Sequence, residues 1–277
     1  MNPELEPLSQ SGIAPRAKRE IRQLVNELVD NLIAKYDEAS DVLLDPFQER
    51  QKKGQGTIRP YLFTLLPQVS RASTIERSFT TSMGLVLQKC AVAVAQGAGL
   101  ESEQEKKIND GRITSEAQNY IYLLCQENRP AHPAPNIAEE LSVLQTLNAH
   151  QNKMDLDVIL DLYIKADNTE YYFDLKTASP NSAQPFIMKR KLLEVQTLRM
   201  SEGIPVRGFG VFHYNPKGFA VKTSLGRRWF DYPNGEVLVG QEFWTFIAGP
   251  STFQSLLDIW GGVSRQRRRD LQRLVGF

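Results

Sequence analysis

Cysteine and histidine are scarce in this chain of 277 residues, which has two Cys and three His, and its net charge is only +1. Cys90 and Cys125 lie in apolar, helical surroundings, so no disulfide framework is implied. Nothing resembles a secretory signal, and a reducing cytoplasm is the expected compartment. His132, His150 and His213 are scattered without a neighbouring Cys pair, which removes a zinc site or a His-metal finger from consideration. His213, at an expected strand end, reads as a packed histidine. There is no G-x-x-x-x-G-K-[ST] phosphate loop and no G-x-S-x-G elbow, against an ATP-driven motor and a serine hydrolase. A charge-free apolar run is missing too. Between Ser78 and Leu100 the only charge is Lys89, but Thr80, Thr81, Ser82, Gln88 and Gln96 make the stretch too polar for lipid, so it reads as a core helix and not a membrane span. With 41% hydrophobic residues, the chain can bury a sizeable core.

What is present is concentrated between Met154 and Asn181. Leu156, Val158, Leu160, Leu162 and Ile164 alternate with Asp155, Asp157, Ile159, Asp161, Tyr163 and Lys165, the period of a strand with one buried face. Phe173 and Leu175 alternate with Tyr172, Asp174 and Lys176, and the polar run from Ala166 to Thr169 supplies turn chemistry for a β-hairpin. With the turn centred between Asp167 and Asn168, Asp161 faces Asp174 and Ile159 faces Lys176, with opposed Cβ atoms roughly 5 Å apart. Two carboxylates that close repel, and the usual remedies are a raised pKa on one or a bound cation. Oxygen ligands in this arrangement suit Mg²⁺, which keeps several waters and often takes phosphate oxygens, so the implied chemistry is attack on a phosphodiester. A solvated hairpin face with Asp161 and Lys176 as a cross-strand ion pair gives the same alternation.

Asp174-Leu175-Lys176, placed thirteen positions after Asp161, resembles the PD-(D/E)xK nuclease superfamily. The resemblance implies Asp161 as the first acid, Asp174 as the second and Lys176 as the lysine, with Asp161 and Asp174 holding Mg²⁺. No proline precedes Asp161, and Asp157, seventeen positions before Asp174, is the alternative first acid if a bulge shifts the pairing. Four further phrases are similar to a group of type II restriction endonucleases, the TdeIII-like family that cuts interrupted GG/CC sites. They are Glu76 to Gly84, Lys176 to Asn181, His213 to Pro216 and Val239 to Trp244, so the resemblance covers roughly residues 70 to 260. It implies cleavage of both strands of duplex DNA at a short, near-palindromic, GGNCC-like site, a homodimer matched to that symmetry, and a cognate DNA methyltransferase that is not a stable subunit. A structure-selective repair or recombination nuclease with the same centre, and a non-catalytic DNA-binding protein, are the alternatives.

The expected fold is α/β: a restriction-endonuclease-like mixed central β-sheet flanked by helices, with a mainly helical N-terminal part. Residues 1–15 read as a loose tail and 16–277 as one nuclease domain, divided into a helical part (16–150), the catalytic hairpin and sheet (151–215) and a basic part (216–277). Helical periodicity marks 16–39, 73–96, 114–126, 136–149, 185–200 and 264–275, with Asn136 and Glu139 as a capping box. Residues 206–214 read as a strand. The irregular segment 45–67, with Lys52 and Lys53, reads as a solvated connection. Glu116 matches the helix that brings a further glutamate to the metal in related nucleases, although a solvated face is the plainer reading. From Phe186 to Phe277 fourteen Lys and Arg stand against seven Asp and Glu, giving +7 and leaving −6 upstream, so phosphate contacts are expected downstream of the hairpin. Lys189, Arg190 and Lys191 are the candidate phosphate contacts, with Arg265, Arg267, Arg268 and Arg269 behind them, and Arg227 and Arg228 are the candidates for reading bases.

Overall fold

The hairpin forms the middle of a five-stranded mixed sheet. In the computed structural model, which describes residues 5–37, 67–126, 133–149, 153–176, 184–213 and 227–275, the strand order is β1-β2-β3-β4-β5. These strands are β1 (Glu101–Thr114), β2 (Lys153–Ala166), β3 (Thr169–Lys176), β4 (Val206–Phe212) and β5 (Val237–Val239). β1, β2 and β3 pair antiparallel, whereas β3, β4 and β5 run parallel. The hairpin register runs from Ala166↔Thr169 to Leu162↔Phe173, as expected from a turn centred between Asp167 and Asn168. Asp167 takes φ 51°, a left-handed conformation that Asp tolerates in turns.

Helices cover both faces. On one side lie α1 (Pro15–Asp37), α2 (Pro67–Gly97), α6 (Gln241–Ala248) and α7 (Thr252–Gln266), which close over Leu162, Ile164, Phe173, Leu175, Phe209 and Val211. On the other lie α3 (Ser115–Leu124), α4 (Ile137–Leu147) and α5 (Gln184–Ser201), packed on Tyr163, Tyr172 and Phe212. The alternation of β2 therefore predicted half of its environment. Leu156, Val158, Leu160, Leu162 and Ile164 are all buried, but they divide between the two sides: Leu162 and Ile164 join the first core, and Leu156, Val158 and Leu160 join the second with Tyr163, where α5 packs.

The crossover helix α5 is buried on nearly every side, with Met188, Leu192, Leu193, Val195 and Leu198 all covered, as a helix sandwiched between a sheet and two other helices must be. It lies so close to β4 that a Cβ at Gly210 would come within 2.8 Å of Met188 Sδ, and one at Gly208 within 2.8 Å of Gln196 Nε2. Glycine at both positions admits the helix. The Gly208 N–H donates to Gln196 Oε1 at 2.9 Å, which fastens α5 to the strand.

One strand was not anticipated, and two expectations need correction. β1 carries no strand signal: seven of the fourteen residues in ESEQEKKINDGRIT are charged, and its ladder is broken by a bulge between Ile108 and Gly111. It forms because β2 offers a long unpaired edge, and its charges then guard the outer edge of the sheet. Residues 5–14 are docked and not loose: the Leu8 N–H donates to Phe246 O at 2.7 Å, the Gly12 N–H to Ala248 O at 2.8 Å, and Leu5 and Leu8 pack on the core. The C-terminal helix is broken at Arg267 into α7 and α8 (Arg268–Val275). Arg267 pairs there with Asp30 at 2.6 Å and Asp270 at 2.7 Å, tying the basic run back to α1. The segment 45–66 and the phrases after Lys176 and His213 lie outside the described residues. α2 contains a stretch, Ile75–Gly97, long and apolar enough to cross a membrane, but Cys90, Ala91, Ala93, Val94 and Ala95 of it are buried in the core.

Candidate active site at the open end of the hairpin

The ladder between β2 and β3 stops at Leu162↔Phe173, and at the next position the Asp161 side chain takes over the role of a strand partner. Its Oδ2 accepts the Leu175 N–H at 2.6 Å and Lys176 Nζ at 3.2 Å. Asp174 is fully buried; its Oδ1 pairs with Lys176 Nζ, and its Oδ2 with Lys191 Nζ of α5 at 3.0 Å. Lys176 Nζ also donates to the Leu175 carbonyl at 3.2 Å. Oxygens of Asp161, Asp174 and Leu175 therefore converge on one positive charge at the end of β3.

Burial and the neighbouring Asp174 push Asp161 above the ordinary carboxylate range, with Lys176 and the Leu175 N–H opposing. Burial works to lower the Lys176 pKa, yet the charges of Asp174 and Asp161 outweigh it and the net shift is upward. Lys176 is thus a full ammonium, and it occupies a cradle of two carboxylates and a carbonyl, the hard-oxygen set that a small divalent cation prefers. Among the described residues no group of three or more His, Cys, Asp and Glu gathers to hold a metal. Asp161 and Asp174, with the Leu175 carbonyl, are the groups that can hold one.

Asp157 is exposed and lies four residues from Asp161, about 13 Å along the strand at ~3.3 Å per residue. The register places Asp161, and not Asp157, beside Lys176. Glu116 is exposed in the first turn of α3, which begins where Thr114 pairs with Lys153, eight residues and roughly 26 Å of strand from Asp161. It does not belong to this cluster.

The run Lys189-Arg190-Lys191 splits in three directions, because successive helical residues are rotated by about 100°. Lys189 is fully buried and paired with Glu140 at 2.7 Å and with Glu236, so it cannot reach a phosphate; the expectation of a DNA contact there is corrected by its burial. Arg190 is half exposed and lies 3.7 Å from Glu194. Lys191 turns into the site. Arg227 and Arg228 are exposed, resting over the rings of Tyr232 at 5.9 Å and Trp229 at 5.8 Å, and Trp229 packs on Phe186 near the start of α5.

Two site residues were named from the sequence only in other roles, Lys191 as a phosphate contact and His213 as a packed histidine. Lys191 had a signal, its place in a basic run, but nothing in the run distinguished it from Lys189. His213 follows β4; its N–H donates to Lys176 O at 3.2 Å, and its buried Nδ1 has no hydrogen-bond partner among the described residues. Burial, helped by the Lys176 charge, lowers its pKa to about 4, so it is neutral beside the lysine.

A model of the type II restriction endonuclease HinfI family matches residues 17–264. The type II restriction enzyme HgiEI of Herpetosiphon aurantiacus is 25% identical over 278 residues, covering 95% of this chain and 99% of the relative. HgiBI and HgiCII of the same organism are 25% and 24% identical, with the same 95% coverage of this chain.

Proposed function

The chain belongs to the HinfI family of type II restriction endonucleases, and on that premise we propose that it hydrolyses both strands of duplex DNA with Mg²⁺ held at a PD-(D/E)xK-type centre. The observation that carries this reading is the meeting of Asp161, Asp174 and Lys176 where β2 and β3 part. Asp161 and Asp174 supply the carboxylate oxygens for the cation, together with the Leu175 carbonyl. When bound, Mg²⁺ supplies a hard electrophile that offsets charge on the phosphate. Lys176, held by the same acids, is placed to orient the attacking water and to stabilise charge developing on the phosphate oxygens. Arg190, Arg227 and Arg228 are exposed on the elements around this end of the sheet and are the groups proposed to meet DNA.

The phrases similar to the TdeIII-like group support a near-palindromic, interrupted GG/CC target of the GGNCC kind. Two-fold symmetry of such a target is matched most simply by a homodimer, acting in the cytoplasm beside a DNA methyltransferase of the same specificity. The test is incubation of the purified protein with plasmid DNA and Mg²⁺. Discrete fragments with ends at one short sequence are expected, and their loss on chelation. Cutting confined to junctions or ends, or binding with no cutting across a range of metals and salt, sinks the proposal.

A further inference from the structure

Four charges meet at the candidate centre: the carboxylates of Asp161 and Asp174 and the ammonium groups of Lys176 and Lys191. They sum to zero, so the centre is neutral without a cation. A divalent cation entering beside Asp174 therefore meets two positive charges already in place and raises the sum to +2, which release of one lysine lowers to +1 and an arriving phosphate would cancel. The two lysines are not equally held. Lys176 is anchored three ways, to Asp161, to Asp174 and to the Leu175 carbonyl, on the same strand as Asp174. Lys191 reaches across from α5 to Asp174 Oδ2 on a four-carbon stem, and its side chain is 25% exposed.

We infer that Lys191 is the exchangeable counter-cation of the centre, a positioning residue that occupies Asp174 in the DNA-free protein and releases it when a divalent cation enters. The inference rests on the metal-centre reading above. Without Lys191 the fully buried Asp174 would keep only Lys176 as a partner, which gives the ion pair a structural reason to exist in the metal-free state. Once released, the ammonium stands at the mouth of the site where a DNA phosphate would arrive. Lys191 thus links filling of the centre to capture of the backbone, by one side chain moving between two anions.

The experiment is titration of the DNA-free protein with Mn²⁺ alone, read by the paramagnetic resonance of free Mn²⁺. Lys191→Met should bind Mn²⁺ at least about tenfold more tightly than wild type, because a competing charge is gone. Lys191→Arg, which keeps the charge, should stay near wild type. Arg112→Met removes the same charge from β1, beside Asp155 at the far end of β2, and should leave the affinity unchanged. Equal or weaker binding by Lys191→Met overturns the inference while leaving the metal centre standing. No binding by any of the proteins sinks the metal-centre reading itself. Circular dichroism checks folding; should Lys191→Met not fold, Lys191→Gln is read in the same titration. If neither folds, the pair is structural and not exchangeable, and the inference fails.

Discussion

Lys176 and Lys189 each sit between two carboxylates, one at the open end of the hairpin and the other inside the molecule. Lys189, Glu140 and Glu236 have side-chain exposures of 0%, 5% and 1%, against 21% and 20% for Lys176 and Asp161. The sealed cluster is extended by hydrogen bonds. Glu236 Oε2 accepts the Asp231 N–H at 2.8 Å, and Asp231 Oδ2 accepts the Ile137 N–H at 3.1 Å at the start of α4. It joins α4, α5 and the segment 227–236, which carries the exposed arginines. Burial pushes Glu236 above the ordinary carboxylate range, with Lys189 opposing. Burial likewise works to lower the Lys189 pKa, but Glu236 and Glu140 raise it further. The same residue types therefore do different things. With no solvent to exchange against, an acid–lysine cluster is a fastening; where water reaches it, its partners are open to exchange, as the proposed metal centre requires.

Substitutions can break that contrast. Lys189→Met leaves two buried carboxylates without their cation and should cost about 3–5 kcal/mol of stability in denaturant unfolding. Adding Glu140→Gln and Glu236→Gln should restore much of the loss, and no recovery would contradict the fastening role. Lys176→Met should lower cleavage about 10²–10³-fold, the scale for removing one preorganised charge-stabilising group, while specific DNA binding persists. A gel-shift assay beside a cleavage time course separates the two effects, and normal cutting by this variant removes Lys176 from the mechanism.

The pH dependence concerns His213. Its pKa is lowered from 6.5 to about 4 in the folded protein, so between those values the unfolded chain binds more protons. Stability from this group is therefore complete above pH 6.5 and lost as pH falls towards 4, by about 3 kcal/mol at ~1.4 kcal/mol per pH unit. His213→Phe should flatten that part of the stability curve in acid, and an unchanged slope would count against the burial argument. The smallest effect is expected at Asp157. Asp157→Asn should cut within about twofold of wild type, as substitutions on an exposed surface usually cost little. Asp161→Asn should lose most activity, and the reverse pattern would move the first acid to Asp157.

Legibility differed from element to element for physical reasons. The register of the hairpin was readable because side chains alternate strictly along a strand and a short polar turn centres the pairing, which brings Asp161 opposite the DxK segment. α1 and α4 were readable from their apolar stripes and, for α4, from Asn136, whose Oδ1 accepts the Glu139 N–H at 3.2 Å. β1 was not readable, because Glu and Lys are poor strand formers and only the waiting edge of β2 makes the segment extended. The destinations of Lys189, Arg190 and Lys191 were not readable either, since a run of like charges says nothing about which helix face is covered.

The amino-acid sequence alone determined the hairpin, its register, and the gathering of Asp161, Asp174 and Lys176, because these depend on local alternation and a turn of known length. Only the tertiary structure decided which lysine is sealed and which is open. That depends on where α3, α4 and the segment 227–236 close over α5, and burial, which sets whether a charge pair can exchange its partners, is a property of the packed whole.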